Sequence, residues 1–176
     1  MIPLVLTYVG DDRPGLVNAV SEKIAAFGGT WLESRSARLA GKFAGILLAN
    51  VPEANASALE EALLGLGSAG LHLTIQRGER DEAEPSARRI TLDILGHERP
   101  GIVRDVTQTL SALSVNIEEF ESGLESGAFT GVEMFRAHAR LSAPETLPLE
   151  DLRRALERLA GEIMVDLSVG EGEARP

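Results

Sequence analysis

Cysteine is absent from the 176-residue sequence, and its absence excludes disulfides and thiolate metal sites. Long apolar runs are also missing, since none approaches the ~20 residues that a membrane-spanning helix needs. The first residues, Met1-Ile2-Pro3-Leu4, lack the basic region and the long apolar region of a secretory signal. We therefore expect a cytoplasmic protein that does not contact a membrane.

Basic clusters are missing as well. The formal net charge is −10, and residues 81–176 carry 10 basic against 19 acidic side chains. Acidic surface repels a phosphate backbone, and no cluster of Lys or Arg compensates for it. The composition therefore argues against direct binding of nucleic acid.

The sequence also lacks the common motifs of catalysis. No Gly-x-Ser-x-Gly elbow, phosphate-binding Gly-Lys-Ser/Thr, or dinucleotide fingerprint occurs. The histidines His72, His97 and His138 share no motif, and none has the His-x3-His spacing of a zinc helix. We expect no enzymatic activity, no catalytic residue, no metal site and no cofactor.

What the chain does contain is one stretch that occurs twice. Gly10–Val17, GDDRPGLV, reappears 86 residues later as Gly96–Val103, GHERPGIV. Each copy follows an alternating apolar run and precedes an apolar run of helical period, which predicts a strand-to-helix turn. Pro14 and Pro100 suit the first helical position, because proline has a near-helical φ and its missing N–H is not needed there.

Glycine follows each proline, as Gly15 and Gly101. Without a Cβ, either glycine would let a second backbone or a small ligand approach the start of the helix. The free amides of a first helical turn can receive a carboxylate. Close helix–sheet packing without any ligand is the alternative explanation for both glycines.

The periodicity along the chain predicts the order βαββαβ twice. This order gives α+β architecture: two ferredoxin-like domains in tandem, each an antiparallel four-stranded sheet with its helices on one face. We expect a first domain at residues 1–77, a linker at 78–88, a second domain at 89–170 and a disordered tail at 171–176. The first strand, residues 2–9, is apolar on both faces, so its second face should contact another part of the protein. A homodimer would cover such open faces and edges.

The repeat extends beyond the turn. Glu33 matches Glu119 and Ser36 matches Ser122 at the same offset of 86, and this offset also aligns Phe43 with Phe129 and Gly45 with Gly131. The last strand of the second unit, predicted at Ile163, Val165 and Leu167, matches the first unit only if six residues are inserted. We place the extra residues in the loop 142–148.

The two turns and the following stretch Leu113-Ser114-Val115-Asn116-Ile117 resemble the ACT domain, a small module that senses amino acids. The resemblance covers both units. Two such units with no attached enzyme or DNA-binding segment look like the glycine cleavage system transcriptional repressor group. That resemblance implies a regulator that binds a small amino acid, such as glycine, at ACT domain interfaces and acts through a regulatory protein partner.

In ligand-binding ACT domains the strand-to-helix turn and an Asn that opens the second strand hold the amino acid. Thr30 stands where Asn116 falls in the second unit, so the first unit departs from the family pattern and lacks the paired amide donor and acceptor of Asn. The positions that match are Gly96, His97, Glu98, Gly101, Ile102 and Asn116 in the second unit, and Asp11, Asp12, Gly15, Leu16 and Thr30 in the first.

Simpler structural roles compete with ligand binding at several of these positions. Asp11 and Asp12 precede a helix, where carboxylates usually cap its start, although they could bind a ligand ammonium with Glu98 as their counterpart. His97 is expected to be a surface turn residue. Asn116 could be a turn residue after a helix. The acidic run 118–125 is expected to be a solvated strand edge that opposes aggregation, the alternative being a docking surface for a basic partner.

Two functional hypotheses follow. The first is a non-enzymatic amino-acid sensor that controls a partner protein, for example a transcription regulator of glycine cleavage. The second is a protein-interaction module that needs no small ligand, or a regulatory subunit of a metabolic enzyme.

Overall fold

The structure is a computed structural model that describes residues 1–78, 87–126, 133–163 and 165–171. Most of the predicted linker and the predicted tail after Glu171 lie outside these ranges. The last two linker positions, Ala87 and Arg88, instead begin a strand, and Glu171 ends one. Among the described helices, none is both long and apolar enough to cross a membrane.

The chain forms two compact units, Met1–Ala83 (unit 1) and Glu84–Pro176 (unit 2). Unit 1 contains β1 Ile2–Asp11, α1 Leu16–Ala26, β2 Thr30–Leu39, β3 Lys42–Val51, α2 Ala56–Leu64 and β4 Leu71–Arg77, with short 3-10 helices at Glu53–Asn55 and Gly65–Ala69. Unit 2 contains β5 Ala87–His97, α3 Ile102–Ala112, β6 Asn116–Ser126, β7 Glu133–Pro144, α4 Leu149–Ile163 and β8 Val165–Glu171.

Both units have the same sheet topology. The strand orders are β2-β3-β1-β4 and β6-β7-β5-β8, and the paired neighbours are antiparallel. The predicted fold class, two βαββαβ units of ferredoxin-like architecture, is confirmed.

Each unit has its own hydrophobic core between the sheet and the helices. In β1 the residues that alternate toward the core are Leu4, Leu6 and Tyr8, and they pack with the α1 stripe of Leu16, Val20 and Ile24. Unit 2 repeats this arrangement with Ile90, Leu92 and Ile94 against Ile102, Val106 and Leu110. The helical and strand periods seen in the sequence are therefore those of the two buried faces.

Six extra residues of unit 2 lie in the β6–β7 hairpin, and two more lie between β7 and β8, since Gly10 pairs with Leu71 and Gly96 with Val165. Val5 pairs with Leu48 in unit 1, whereas the matching Thr91 pairs with Arg140 in unit 2. The offset between β3 and β7 is therefore six residues larger than the 86 that holds before the hairpin. Phe43 corresponds to Phe135, so the predicted matches with Phe129 and Gly131 are wrong, and those two residues lie outside the described ranges. Ile163, predicted to be in the last strand, ends α4.

Candidate functional site

The two repeated turns have the same backbone geometry. Gly15 has φ 92° and ψ −2°, and Gly101 has φ 96° and ψ −1°, so both are left-handed. A right-handed helix cannot include such a residue, so α1 begins at Leu16 and α3 at Ile102. The prediction that Pro14 and Pro100 occupy the first helical position is therefore wrong, because each proline lies in the turn before the glycine.

Both helix starts lack a side-chain cap. The amide of Ala19 donates to the carbonyl of Gly15 at 2.9 Å, and Asp105 donates to Gly101 at the same distance. A Cβ placed on Gly15 would meet no atom within 4 Å, whereas one on Gly101 would lie 3.2 Å from Nη2 of Arg104. Positive φ, rather than close packing, is what requires glycine at position 15.

The carboxylates of the first turn do not cap α1. Asp11 forms an ion pair with Lys42, and Asp12 pairs with Nε of Arg38 at 2.8 Å. The hydrogen bond and the charge of Lys42 hold the pKa of Asp11 below its usual value. The prediction of capping is wrong because the β2–β3 hairpin supplies cations beside the turn, and these bind the carboxylates instead.

Unit 1 closes the space between this turn and β2 with side chains. The hydroxyls of Tyr8 and Ser36 hydrogen-bond at 2.6 Å, and the Tyr8 ring lies over Gly45. The amide of Asp12 also donates to the carbonyl of Gly41 at 2.9 Å. Together with the Arg38–Asp12 ion pair, these contacts fasten the first turn to the hairpin.

Unit 2 keeps the corresponding space open as a pocket of about 400 Å³. Pockets that bind small molecules in proteins are of about this size or larger. Ile94 stands where unit 1 has Tyr8, and Leu124 stands where it has Arg38, so neither closing contact can form. The pocket is lined from the turn by residues 98–104 and from the sheet by Ser122, Gly123, Leu124 and Phe135.

The polar groups at this pocket are mainly hydrogen-bond donors. The start of α3 contributes backbone amides, and β6 contributes the hydroxyl of Ser122. Arg99 and Arg104 also line the pocket, and both contact Asp105, through Nη2 atoms at 2.9 Å and 2.7 Å. Hydrogen bonds from Arg104 and then Arg99 hold the pKa of Asp105 below its ordinary value. The charges of Arg99 and Arg104 are thus balanced by those of Glu98 and Asp105.

The structure separates the residues that were predicted to form one site. Glu98, Gly101 and Ile102 line the pocket, whereas Gly96 and His97 do not. His97 is exposed at the end of β5, as expected.

Asn116 opens β6 and pairs with Ser142, which pairs on its other side with Arg89, at the other end of the sheet. Gly96 lies seven residues further along β5, a separation of about 24 Å. Thr30 lies at the corresponding far end of unit 1, beside Asn50. A ligand at the turn of unit 2 is therefore out of reach of that unit's own Asn116.

The predicted site residues leave out eight of the pocket residues, among them Arg99, Arg104, Ser122 and Leu124. One signal was available for Ser122, because its match with Ser36 is part of the repeat. The same alignment also places Ile94 of unit 2 where unit 1 has Tyr8, the hydrogen-bond partner of Ser36.

Among the described residues, no group of His, Asp and Glu is arranged to hold a metal ion.

Comparison with known proteins shows what this chain is similar to. The family model described as the ACT domain matches residues 3–76. The chain is 25% identical over 168 residues to the glycine cleavage system transcriptional repressor of Escherichia coli (strain K12), with 94% of this chain and 88% of that protein covered.

Two further proteins are similar over nearly the whole chain. Phosphoserine phosphatase SerB2 of Mycobacterium tuberculosis is 28% identical over 174 residues, which cover 96% of this chain and 40% of the phosphatase. The crystal structure of an unknown protein from Galdieria sulphuraria superposes with a TM-score of 0.86 at 28% identity, covering 98% of this chain and 99% of that one. The ACT domain model thus matches most of unit 1, and unit 2 repeats the strand order of unit 1.

Proposed function

We propose that this chain is a non-enzymatic regulatory protein that binds a small amino acid, glycine or a similar one, and thereby controls a partner protein. The observation that carries the proposal is the open pocket at the uncapped start of α3. The similarity to the glycine cleavage repressor supports a transcription regulator of glycine cleavage as the partner. The net charge of −10 favours action through a protein rather than direct contact with nucleic acid.

The pocket offers complementary groups to both ends of an amino acid. The carboxylate of the amino acid would accept hydrogen bonds from the first amides of α3, where the helix dipole is positive. Ser122 would add a hydroxyl donor, and the exposed carboxylate of Glu98 would lie near the ammonium group. An amino-acid ligand with a small side chain suits the apolar wall that Leu124 and Phe135 form.

Regulation needs more than binding. A ligand shifts a conformational equilibrium only by the difference between its affinities for the two states. The amino acid must therefore favour the form of the chain that binds, or releases, the partner. The expected consequence is that adding the amino acid changes how much partner the chain retains.

The test is to close the pocket of unit 2 in the way that unit 1 is closed. Leu124→Arg places a guanidinium beside Glu98, as Arg38 lies beside Asp12 in unit 1. Calorimetry and thermal shift with glycine, serine and a panel of other amino acids should show saturable binding to the wild type. The Leu124→Arg variant should bind at least tenfold more weakly.

The matched control is the reverse change in unit 1. Arg38→Leu removes the ion pair with Asp12 but changes no residue that lines the pocket of unit 2. This variant should therefore bind the amino acid as tightly as the wild type does. Asn116→Ala should also retain binding if the pocket of unit 2 suffices. A folded wild-type protein that binds no member of the panel would rule out the sensor.

A second candidate is an interaction module, or a regulatory subunit of a metabolic enzyme, that needs no ligand. It is supported by the similarity to the phosphatase SerB2, because a region similar to 96% of this chain makes up 40% of that enzyme. Purification from the native cell distinguishes the two candidates. A partner that stays bound whatever amino acid is added supports the second candidate, whereas release or recruitment by one amino acid supports the first.

A further inference from the structure

The two sheets differ most on the face turned away from the helices, which we call the outer face. On the central strands β1 and β3 of unit 1, this face carries Pro3, Val5, Thr7, Val9, Ala44, Ile46, Leu48 and Asn50. The corresponding positions of unit 2 carry Arg89, Thr91, Asp93, Leu95, Arg136, His138, Arg140 and Ser142. One outer face is mainly apolar, and the other is mainly charged.

The outer face of unit 2 is suited to water. Arg140 pairs with Glu119, Arg136 Nε lies 3.0 Å from Glu125, and His138 Nδ1 lies 2.8 Å from Asp93. These pairs lie across neighbouring strands, where opposite charges are favourable neighbours. β6, which carries the acidic run, is an edge strand of its sheet.

The outer face of unit 1 exposes large apolar side chains. Val9, Leu32 and Ile46 are 45%, 49% and 48% exposed. A groove of about 570 Å³ runs across this face, with Val5, Leu32, Ile46 and Leu48 among its lining residues. Contiguous apolar surface of this kind marks an interaction site, whereas isolated exposed residues do not.

We propose that the outer face of unit 1 binds the same face of a second copy of this chain, around a two-fold axis. The proposal does not depend on amino-acid binding, because the pocket described above lies in unit 2. It is independently motivated by β1 itself, whose sequence is apolar on both faces although one face alone reaches the core.

Charge at the edge of the groove favours a second copy over an unrelated apolar partner. Glu33 and Arg35 are two residues apart on β2, both on the outer face beside Leu48 and Ile46, and they form an ion pair at 3.0 Å. A two-fold axis that sets the two β2 strands antiparallel brings Glu33 of each copy toward Arg35 of the other. The surface is therefore complementary to itself.

In a pair of chains, a charged sheet face such as that of unit 2 would be a poor partner for this groove. Arg136, His138 and Arg140 would lose water against apolar side chains, and such desolvation is costly.

The size of the outer face of unit 1 also suits a dimer. Four strands about 4.8 Å apart and about 27 Å long present roughly 500 Å² per copy, which gives the roughly 1,000 Å² that a specific interface needs.

The first experiment compares equivalent positions of the two outer faces by sedimentation equilibrium of the full chain. We expect the wild type to be a dimer at micromolar concentration. Ile46→Lys should weaken the dimer at least tenfold, because it buries a charge in the apolar contact. His138→Lys, at the corresponding position of unit 2, should leave the dimer unchanged. Circular dichroism confirms that both variants fold.

The second experiment tests the two-fold pairing. Glu33→Arg and Arg35→Glu should each weaken self-association, because like charges then face each other across the axis. An equimolar mixture of the two variants should form a heterodimer, in which two basic residues of one copy face two acidic residues of the other.

Three results would overturn the proposal. They are a wild type that stays monomeric across the concentration range, an Ile46→Lys variant that dimerises like the wild type, and a mixture of charge variants that forms no heterodimer. In the first two cases another surface or partner covers the outer face of unit 1.

Discussion

Glycine serves different purposes at positions 15 and 45. At Gly15 the requirement is the backbone angle, since a Cβ there would meet no atom within 4 Å. At Gly45 the requirement is space, because a Cβ would lie 2.6 Å from the hydroxyl oxygen of Tyr8 and 2.7 Å from that of Ser36. The first reason is local and can be inferred from the Pro-Gly turn, whereas the second depends on a strand neighbour distant in the chain.

Replacing Gly15 by alanine should therefore destabilise unit 1 by about 1 kcal/mol, the usual cost of a left-handed alanine. Gly65→Ala is the matched control. Gly65 has φ −58° and ψ −22°, and a Cβ there also meets open space, so alanine should be neutral or slightly stabilising. Urea unfolding of both variants measures the difference. Equal effects of the two substitutions would show that the backbone angle is not the reason for Gly15.

At the scale of elements, the β5–α3 junction is held by charge rather than by a cap. Arg99 precedes α3, Arg104 lies in its first turn, and both bind Asp105. The carboxylate is held near the positive end of the helix, where a negative charge is stabilising. This network fixes the turn that lines the pocket of unit 2, so its loss should loosen the site as well as the helix start.

The network should make stability depend on pH. The pKa of Asp105 is lowered from 3.8 in the folded protein, so the unfolded chain binds the proton more tightly. The ion pairs therefore add stability above pH 3.8, and this contribution is lost as the pH falls through the lowered pKa.

Asp105→Asn should accordingly lower the melting temperature at pH 7, and the difference from the wild type should shrink below pH 4. Arg104→Gln, which removes the largest cause of the shift, should give a smaller effect of the same sign. Thermal unfolding followed between pH 7 and pH 3 measures both. A difference that stays constant over this range would contradict the assignment of the pH dependence to Asp105.

At the scale of the whole molecule, the duplication has given two units with separate cores and different surfaces. The two clusters of buried residues share no member, and each draws its residues from one unit. Unit 1 has a closed turn and an apolar outer face, whereas unit 2 has an open turn and a charged outer face. The two proposals together assign assembly to the first unit and ligand binding to the second.

Because the two hydrophobic cores are separate, we expect each unit to have its own free energy of local unfolding. Leu6 and Leu92 occupy equivalent, fully buried positions, so Leu6→Ala and Leu92→Ala should each cost about 2–5 kcal/mol. Hydrogen exchange should show the loss of protection mainly in residues 1–78 for the first variant and in residues 87–171 for the second. Equal loss in both units after either substitution would mean that the two cores unfold as one.

The sequence by itself determined the repeat, the order of elements and the positions of both turns, because hydrophobic period and Pro-Gly chemistry act over a few residues. Tertiary structure alone decided what surrounds those turns. The hairpin cations that bind Asp11 and Asp12, the pocket beside Ser122 and the distance of Asn116 from its own turn all depend on strand pairing across the sheet. Six additional residues lengthen one hairpin, and neither composition nor periodicity records where such residues lie.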